Sequence, residues 1–150
     1  MGTLSAIYVR PTQPAQGAGL LANHPTAYTE PGLEFYAIEQ PSTVFNPPED
    51  ELAKLSACLG TDVLWIGFQS AADAFQFHHW RAGTRLRALI HGCVEQGIWE
   101  RVEGEPEPWE RNALSDPHEA ELKVGSTAPS VDAREAARAV AEYYRLPGWS

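Results

Sequence analysis

Nine side chains able to bind or react crowd into one stretch of this chain: His78, His79, Trp80, Arg85, Arg87, His91, Cys93, Trp99 and Arg101. Three chemistries are open to them. Metal ligation by His78 and His79 is disfavoured, because neighbouring residues of a strand point to opposite faces and share one ion poorly. A site would need His91 or a carboxylate as well, and no converging spacing supplies it. Cys93 and His91 stand two apart on one strand face, but a thiolate nucleophile also needs a lowered pKa and an orienting third group. No G-x-S-x-G, glycine-rich phosphate loop or H-E-x-x-H occurs. The sequence therefore predicts no catalytic residue, no metal and no cofactor. What remains is recognition. Guanidinium groups take carboxylates two-pronged, and Trp and Arg are the types enriched at binding hot spots. Trp80, Arg85, Arg87, His78 and Trp99 are the candidate binding residues, for a carboxylate or an acidic partner segment, which the chain's own Glu105–Glu110 could supply; the alternative is a cross-strand pair of Trp80 and Arg85 that only protects the sheet face.

These residues need a sheet to present them. Val63–Phe68 is apolar on both faces, as a central strand is. Ser70–Asp73 makes a tight connection, Ala74–Arg81 is the next strand, and Ala82-Gly83 is a two-residue turn into Thr84–Val94. Glu95-Gln96-Gly97 suits a hairpin loop before a last strand, Ile98–Glu103. Earlier, Leu4–Arg10 and Leu33–Glu39 read as strands, while Thr12–Pro31, rich in Pro, Gly, Ala and Gln, reads as a long loop.

With Ala82-Gly83 as the turn, Arg81 pairs with Thr84 and strict alternation follows. Trp80 then faces Arg85 and His78 faces Arg87, with Trp99, Arg101 and Glu103 on the same polar side. Phe75, Phe77, His79, Ala88 and Ile90 take the other side. A slip of one residue would invert every assignment beyond it. His79 reads as a core histidine with a satisfied hydrogen bond, and His24 and His118 as loop residues without a role.

Two helices are signalled. The first runs over residues 48–59, with Asn46 as cap candidate, three acids in its first turn and Gly60 as a left-handed end. The second runs over 132–145, opened by Asp132 and Glu135 at capping-box spacing. The fold class is α+β: one domain over residues 1–150, an antiparallel sheet of five or six strands with both helices on its apolar face. Pro106 and Pro108 prevent Gly104–Glu110 from pairing as a strand. Trp109 is expected as its buried anchor, with Glu105 and Glu107 exposed.

The formal net charge is −9, and nine acids against two arginines between Glu95 and Glu121 carry most of it. This balance argues against nucleic acid or an anionic membrane as partner. No stretch approaches the roughly 20 apolar residues of a membrane helix, and Cys58 and Cys93 form no disulfide framework. The expectation is a cytoplasmic protein.

Trp65-Ile-Gly-Phe-Gln-Ser70, Ala74-Phe-Gln-Phe-His-His-Trp80 and Glu100-Arg-Val-Glu-Gly-Glu-Pro-Glu-Pro-Trp-Glu110, followed by Leu146-Pro-Gly-Trp149, resemble an uncharacterised family of conserved hypothetical bacterial proteins. The resemblance covers residues 60–149 and implies the four-strand block, with no activity attached. The function expected first is a non-enzymatic interaction or regulatory module, with a second copy or another protein meeting the Trp/Arg face. The second reading is a small-molecule-binding protein or minor enzyme, with a pocket between the sheet and the 12–31 loop.

Overall fold

Val63–Phe68 is apolar on both faces because its strand is the middle one of seven. The computed structural model of the protein describes residues 3–41, 46–114 and 122–149. In chain order the elements are β1 (Thr3–Val9), α1 (Pro14–Asn23), β2 (Ala27–Tyr28), β3 (Tyr36–Glu39), α2 (Glu49–Leu59), β4 (Asp62–Gln69), β5 (Ala74–Arg81), β6 (Thr84–His91), β7 (Trp99–Gly104), α3 (Glu110–Ala113) and α4 (Ala133–Tyr144). The strands form one antiparallel sheet in the order β2-β3-β1-β4-β5-β6-β7. Among the described residues no helix is long and apolar enough to cross a membrane.

The α+β class and the antiparallel meander are as expected, and three features are not. The sheet has seven strands instead of five or six. Segment 12–31 is not a loop; it holds α1 and the short β2. The two expected helices lie on opposite faces: Ala133, Ala136, Ala137 and Val140 of α4 pack with Leu64, Ile66, Phe75 and Phe77, whereas Leu52 of α2 joins Ile7, Val9, Val63 and Trp65. The cause is β4 itself. A strand apolar on both faces needs cover on both, and two helices on one side would leave Val63 and Trp65 in water. Gly17 and Gly19 hide α1, since glycine disfavours a helix interior. At Gly17 a Cβ would lie 2.6 Å from the Tyr36 hydroxyl, so a larger residue would displace that ring.

Ala82 (φ 48°) and Gly83 (φ 88°) make the expected turn, and Trp80 pairs with Arg85 as expected. The alternation then breaks. His79 pairs with Arg87, so Leu86 is an extra residue, a β-bulge in β6. A second bulge follows in β7, where Ile90 pairs with Arg101 but His91 pairs with Trp99, leaving Glu100 over. Each extra residue turns the following side chains to the other face. The expected five-residue surface is therefore divided. His78, Trp80 and Arg85 lie on the α2 face, while Arg87 and Trp99 lie on the α4 face, 2% and 0% exposed. Ile90, expected opposite Trp80, shares its side. Gly104 makes room for the first bulge: a Cβ there would lie 1.9 Å from the Leu86 carbonyl oxygen.

Smaller corrections have local causes. α2 begins after Pro48 with no side-chain cap, so Asn46 does not cap it; Glu49, Asp50 and Glu51 complement the helix dipole instead. Gly60 (φ 61°) and Asp132, which accepts from the Glu135 amide at 3.1 Å, act as expected. β6 ends at His91, short of Val94, because the Glu100 carboxylate gathers the amides of Cys93, Val94 and Glu95, each at 2.7 Å, into a closed loop. His118 lies outside the described residues.

Trp109 is the anchor the prolines suggested. It stands edge-on to Phe77 at 5.1 Å and to Phe75 at 6.1 Å between ring centres. Glu105 is exposed, but Glu107 turns inward. Trp109→Ala will lower the unfolding free energy by about 3–5 kcal/mol, the usual cost of removing a buried aromatic. Glu105→Ala will stay within about 0.5 kcal/mol. Urea unfolding of the two variants checks both.

Candidate functional site

On the α2 face, Arg85 gives Nη1 to Glu49 Oε1 (2.7 Å) and Nη2 to Glu103 Oε1 (2.6 Å). Arg101 gives Nη1 to Glu49 Oε2 (3.1 Å) and Nε to Glu103 Oε2. The Arg85 guanidinium carbon also sits 5.8 Å from the Trp80 ring centre. Two arginines and two carboxylates thus close on one another, so the cations expected to read an external carboxylate already hold internal ones. Beneath them His78 is fully buried, and neither of its ring nitrogens has a partner among the described residues. Burial pushes its pKa down to about 4, which makes it a neutral core residue at pH 7.

On the α4 face, Arg87 gives Nε to Glu110 (2.8 Å) and Nη1 to the Gly104 carbonyl (2.7 Å). His79 gives or shares Nε2 with Asp62 (2.8 Å) and Nδ1 with Glu107 (2.7 Å). Tyr144 donates its hydroxyl proton to Glu107, and Asp62 is further bonded by Arg81 Nε (2.7 Å) and Arg10. Burial opposes a proton on His79, but the bonds and charges of Glu107 and Asp62 outweigh it, and the pKa lies above the ordinary 6.5. Burial also raises the Asp62 pKa, but bonds from His79 and Arg81 and the Arg10 charge outweigh it and hold the pKa below 3.8. Both nitrogens of His79 are spent, so neither is left for a substrate.

His91 points Nδ1 at the Asp73 carbonyl (3.0 Å), away from the thiol. Cys93 Sγ accepts from Gln76 Nε2 (3.4 Å), and burial raises its pKa. The arrangement holds Cys93 as a thiol. Among the described residues no group of three or more His, Cys, Asp or Glu is placed to hold a metal ion.

A different concavity emerges on the α4 face. α4 packs on β4 and β5, and a concavity lies between it and the β2-β3-β1 side of the same face. The resulting cleft has a volume of about 330 Å³. Leu4, Tyr8 and Phe68 form its floor, Tyr28 and Glu39 stand on the sheet side, and Arg134 and Arg138 stand on α4. The chain segment 146–149 shuts one end. Leu146 is buried, Gly148 donates its amide to Glu30, and Trp149 donates Nε1 to the Tyr8 hydroxyl (3.2 Å) while leaning on Phe68. Gly148 (φ 87°) is needed, because a Cβ there would lie 2.2 Å from the Tyr28 hydroxyl.

The cleft has unused donors. Tyr8 is 2% exposed, its oxygen accepts from Trp149, and its own proton has no acceptor among the described residues. Burial drives its pKa well above the ordinary 10.0, so it stays a phenol. Arg134 bonds to none of the described residues, and Arg138 has only a 3.9 Å approach to Glu135. None of these residues stood out in the sequence. The available signals were Arg134 and Arg138, one helical turn apart, and the Leu146-Pro-Gly-Trp149 ending.

Among the described residues the chain thus forms a seven-stranded antiparallel α+β fold with internally closed charge clusters on both faces of the sheet and a polar cleft beside α4. No family model matches it, and no curated protein or solved structure does. The comparisons add no family to the resemblance seen over residues 60–149.

His78 and His79 will titrate in opposite senses. Imidazole NMR will place one near pH 4 and the other above 6.5. Because the folded pKa of His79 is raised, its stabilisation is full below about 6.5 and fades as pH rises through the folded value. Because that of His78 is depressed, stability falls as pH drops from 6.5 toward 4. In His79→Gln the alkaline loss will disappear from urea midpoints measured against pH. Arg87→Ala will strand the buried Glu110 and cost about 3–5 kcal/mol of stability, a loss that urea unfolding will register.

Proposed function

We propose that the protein binds a small organic ligand in the cleft between the sheet and α4. One observation carries the reading: a concave, aromatic-floored site in which Tyr8 keeps an unused proton and Arg134 an unengaged guanidinium. Small-molecule sites carry a few convergent polar groups, and their volumes begin near 300 Å³. The donors favour an anionic group, since guanidinium and phenol both give protons to a carboxylate.

This reading displaces the interaction module expected from the Trp/Arg face. Trp99 and Arg87 are buried away from solvent, and Arg85 and Arg101 are neutralised by Glu49 and Glu103. Of the 12–31 segment, Tyr28 alone lines the cleft, so the expected pocket site is displaced toward the C-terminal segment. No turnover is assigned. Two unbridged cysteines support a reducing, cytoplasmic compartment.

Small carboxylates screened by melting temperature and then by calorimetry will yield a binder. A charge-assisted bond contributes about 1.5–3 kcal/mol, so Arg134→Gln with Arg138→Gln will weaken it about tenfold or more at an unchanged melting temperature of the free protein. A screen without any binder, or a binder indifferent to both arginines, would remove this function.

A further inference from the structure

We infer that the ligand is a dipolar molecule of the α-amino-acid class, its carboxylate held between Tyr8 and the α4 arginines and its ammonium by Glu39. This rests on the cleft being a ligand site. Glu39 pairs with Ala6 on β1, one alternation from the Tyr8–Ala37 pair, and so projects on the same face as Tyr8. Tyr28 pairs with Ala37 on that face and donates to Glu39 Oε1 (3.4 Å). This bond orients the carboxylate and leaves Oε2 without a partner among the described residues.

The arginines rise from the opposite wall. Glu39 forms no ion pair with Arg134 or Arg138, although all three line one cleft. On the α2 face, by contrast, Arg85 and Arg101 close directly on Glu49 and Glu103. Opposite charges kept apart across a concavity match a ligand that carries both signs. Leu4 and Phe68 of the floor, with Trp149 at the closed end, offer contact to an apolar side chain. A volume of about 330 Å³ lies at the small end of ligand pockets, which run from about 300 to 1,000 Å³; it suits a free amino acid better than a nucleotide.

Calorimetry with the proteinogenic amino acids, and with the des-amino acid and the des-carboxy amine of the best of them, tests this on the whole chain. The amino acid will bind about tenfold or more tighter than either truncated analogue, about the effect of one charged hydrogen bond. Glu39→Gln will bring the amino acid down to the level of its des-amino acid and leave the des-amino acid's own affinity unchanged. Tyr28→Phe, which removes only the bond orienting Glu39, will reduce the preference in part and serves if Glu39→Gln does not fold. A des-amino acid that binds as tightly as the amino acid overturns the dipolar ligand while leaving an anion site in the cleft. So does a preference that survives both variants. Absence of binding by every member of the series overturns the dipolar ligand, and the failed carboxylate screen described above would remove the cleft reading separately.

Discussion

Leu86 sets the sidedness of one flank of the sheet. Without the bulge, Arg87 would stand opposite His78 and its carbon chain would face α2. With it, Arg87 crosses to the α4 face and meets Glu110, and Gly104 opposite becomes the residue that tolerates the displaced carbonyl. The second bulge, at Glu100, performs the complementary service. It returns Arg101 and Glu103 to the α2 face beside Arg85, and it frees a carboxylate to hold the 93–95 amides. Two extra residues thus sort the charges of three strands into two closed groups on opposite sides of a sheet. A buried guanidinium is tolerated only where its donors are met, and the bulges are the means by which they are met.

The second organising feature is the His79 cluster. It joins β4 through Asp62, β5 through His79 and Arg81, the proline segment through Glu107, and α4 through Tyr144. Trp109 lies next to it, with Nε1 on Glu107 (3.2 Å), so the apolar anchor and the ionic one secure the same turn of chain. Buried ion pairs are weak evidence for stability by themselves, because desolvation offsets much of their attraction. Their effect here is on position: they hold α4 against β4 and β5, and so determine where the Arg134 and Arg138 wall stands relative to the open part of the sheet.

The β4–β7 meander, α2, α4, the Ala82-Gly83 turn and the Trp109 anchor were legible because each has a short-range cause: alternation, helical spacing, a turn dipeptide, or one apolar residue among prolines. The bulges were not. Arg85-Leu86-Arg87 alternates like any strand, and what ejects Leu86 is the match of Arg87 to a carboxylate more than twenty positions away. α1 was obscured by two glycines, one of which lies against the Tyr36 ring. The cleft was illegible for a deeper reason. Tyr8, Glu39, Arg138 and Trp149 are ordinary residues of four separate segments, and they meet because β1 enters the sheet between β3 and β4.

That strand order has a kinetic side. β4 to β7 pair with their sequence neighbours across short turns, whereas β1 joins β4 across about sixty residues of intervening chain, with Val9 opposite Val63 and Thr3 opposite Gln69. Local hairpins close in microseconds, while distant pairings wait on loop closure. The meander is therefore expected to form first, and for that interval β4 is an outer strand, apolar on both faces and unpaired along one side. An edge of that kind is the template on which other chains add. β1 acts as the intramolecular competitor for that edge, and the time it takes to arrive sets how long a nascent molecule stays open to association with its neighbours.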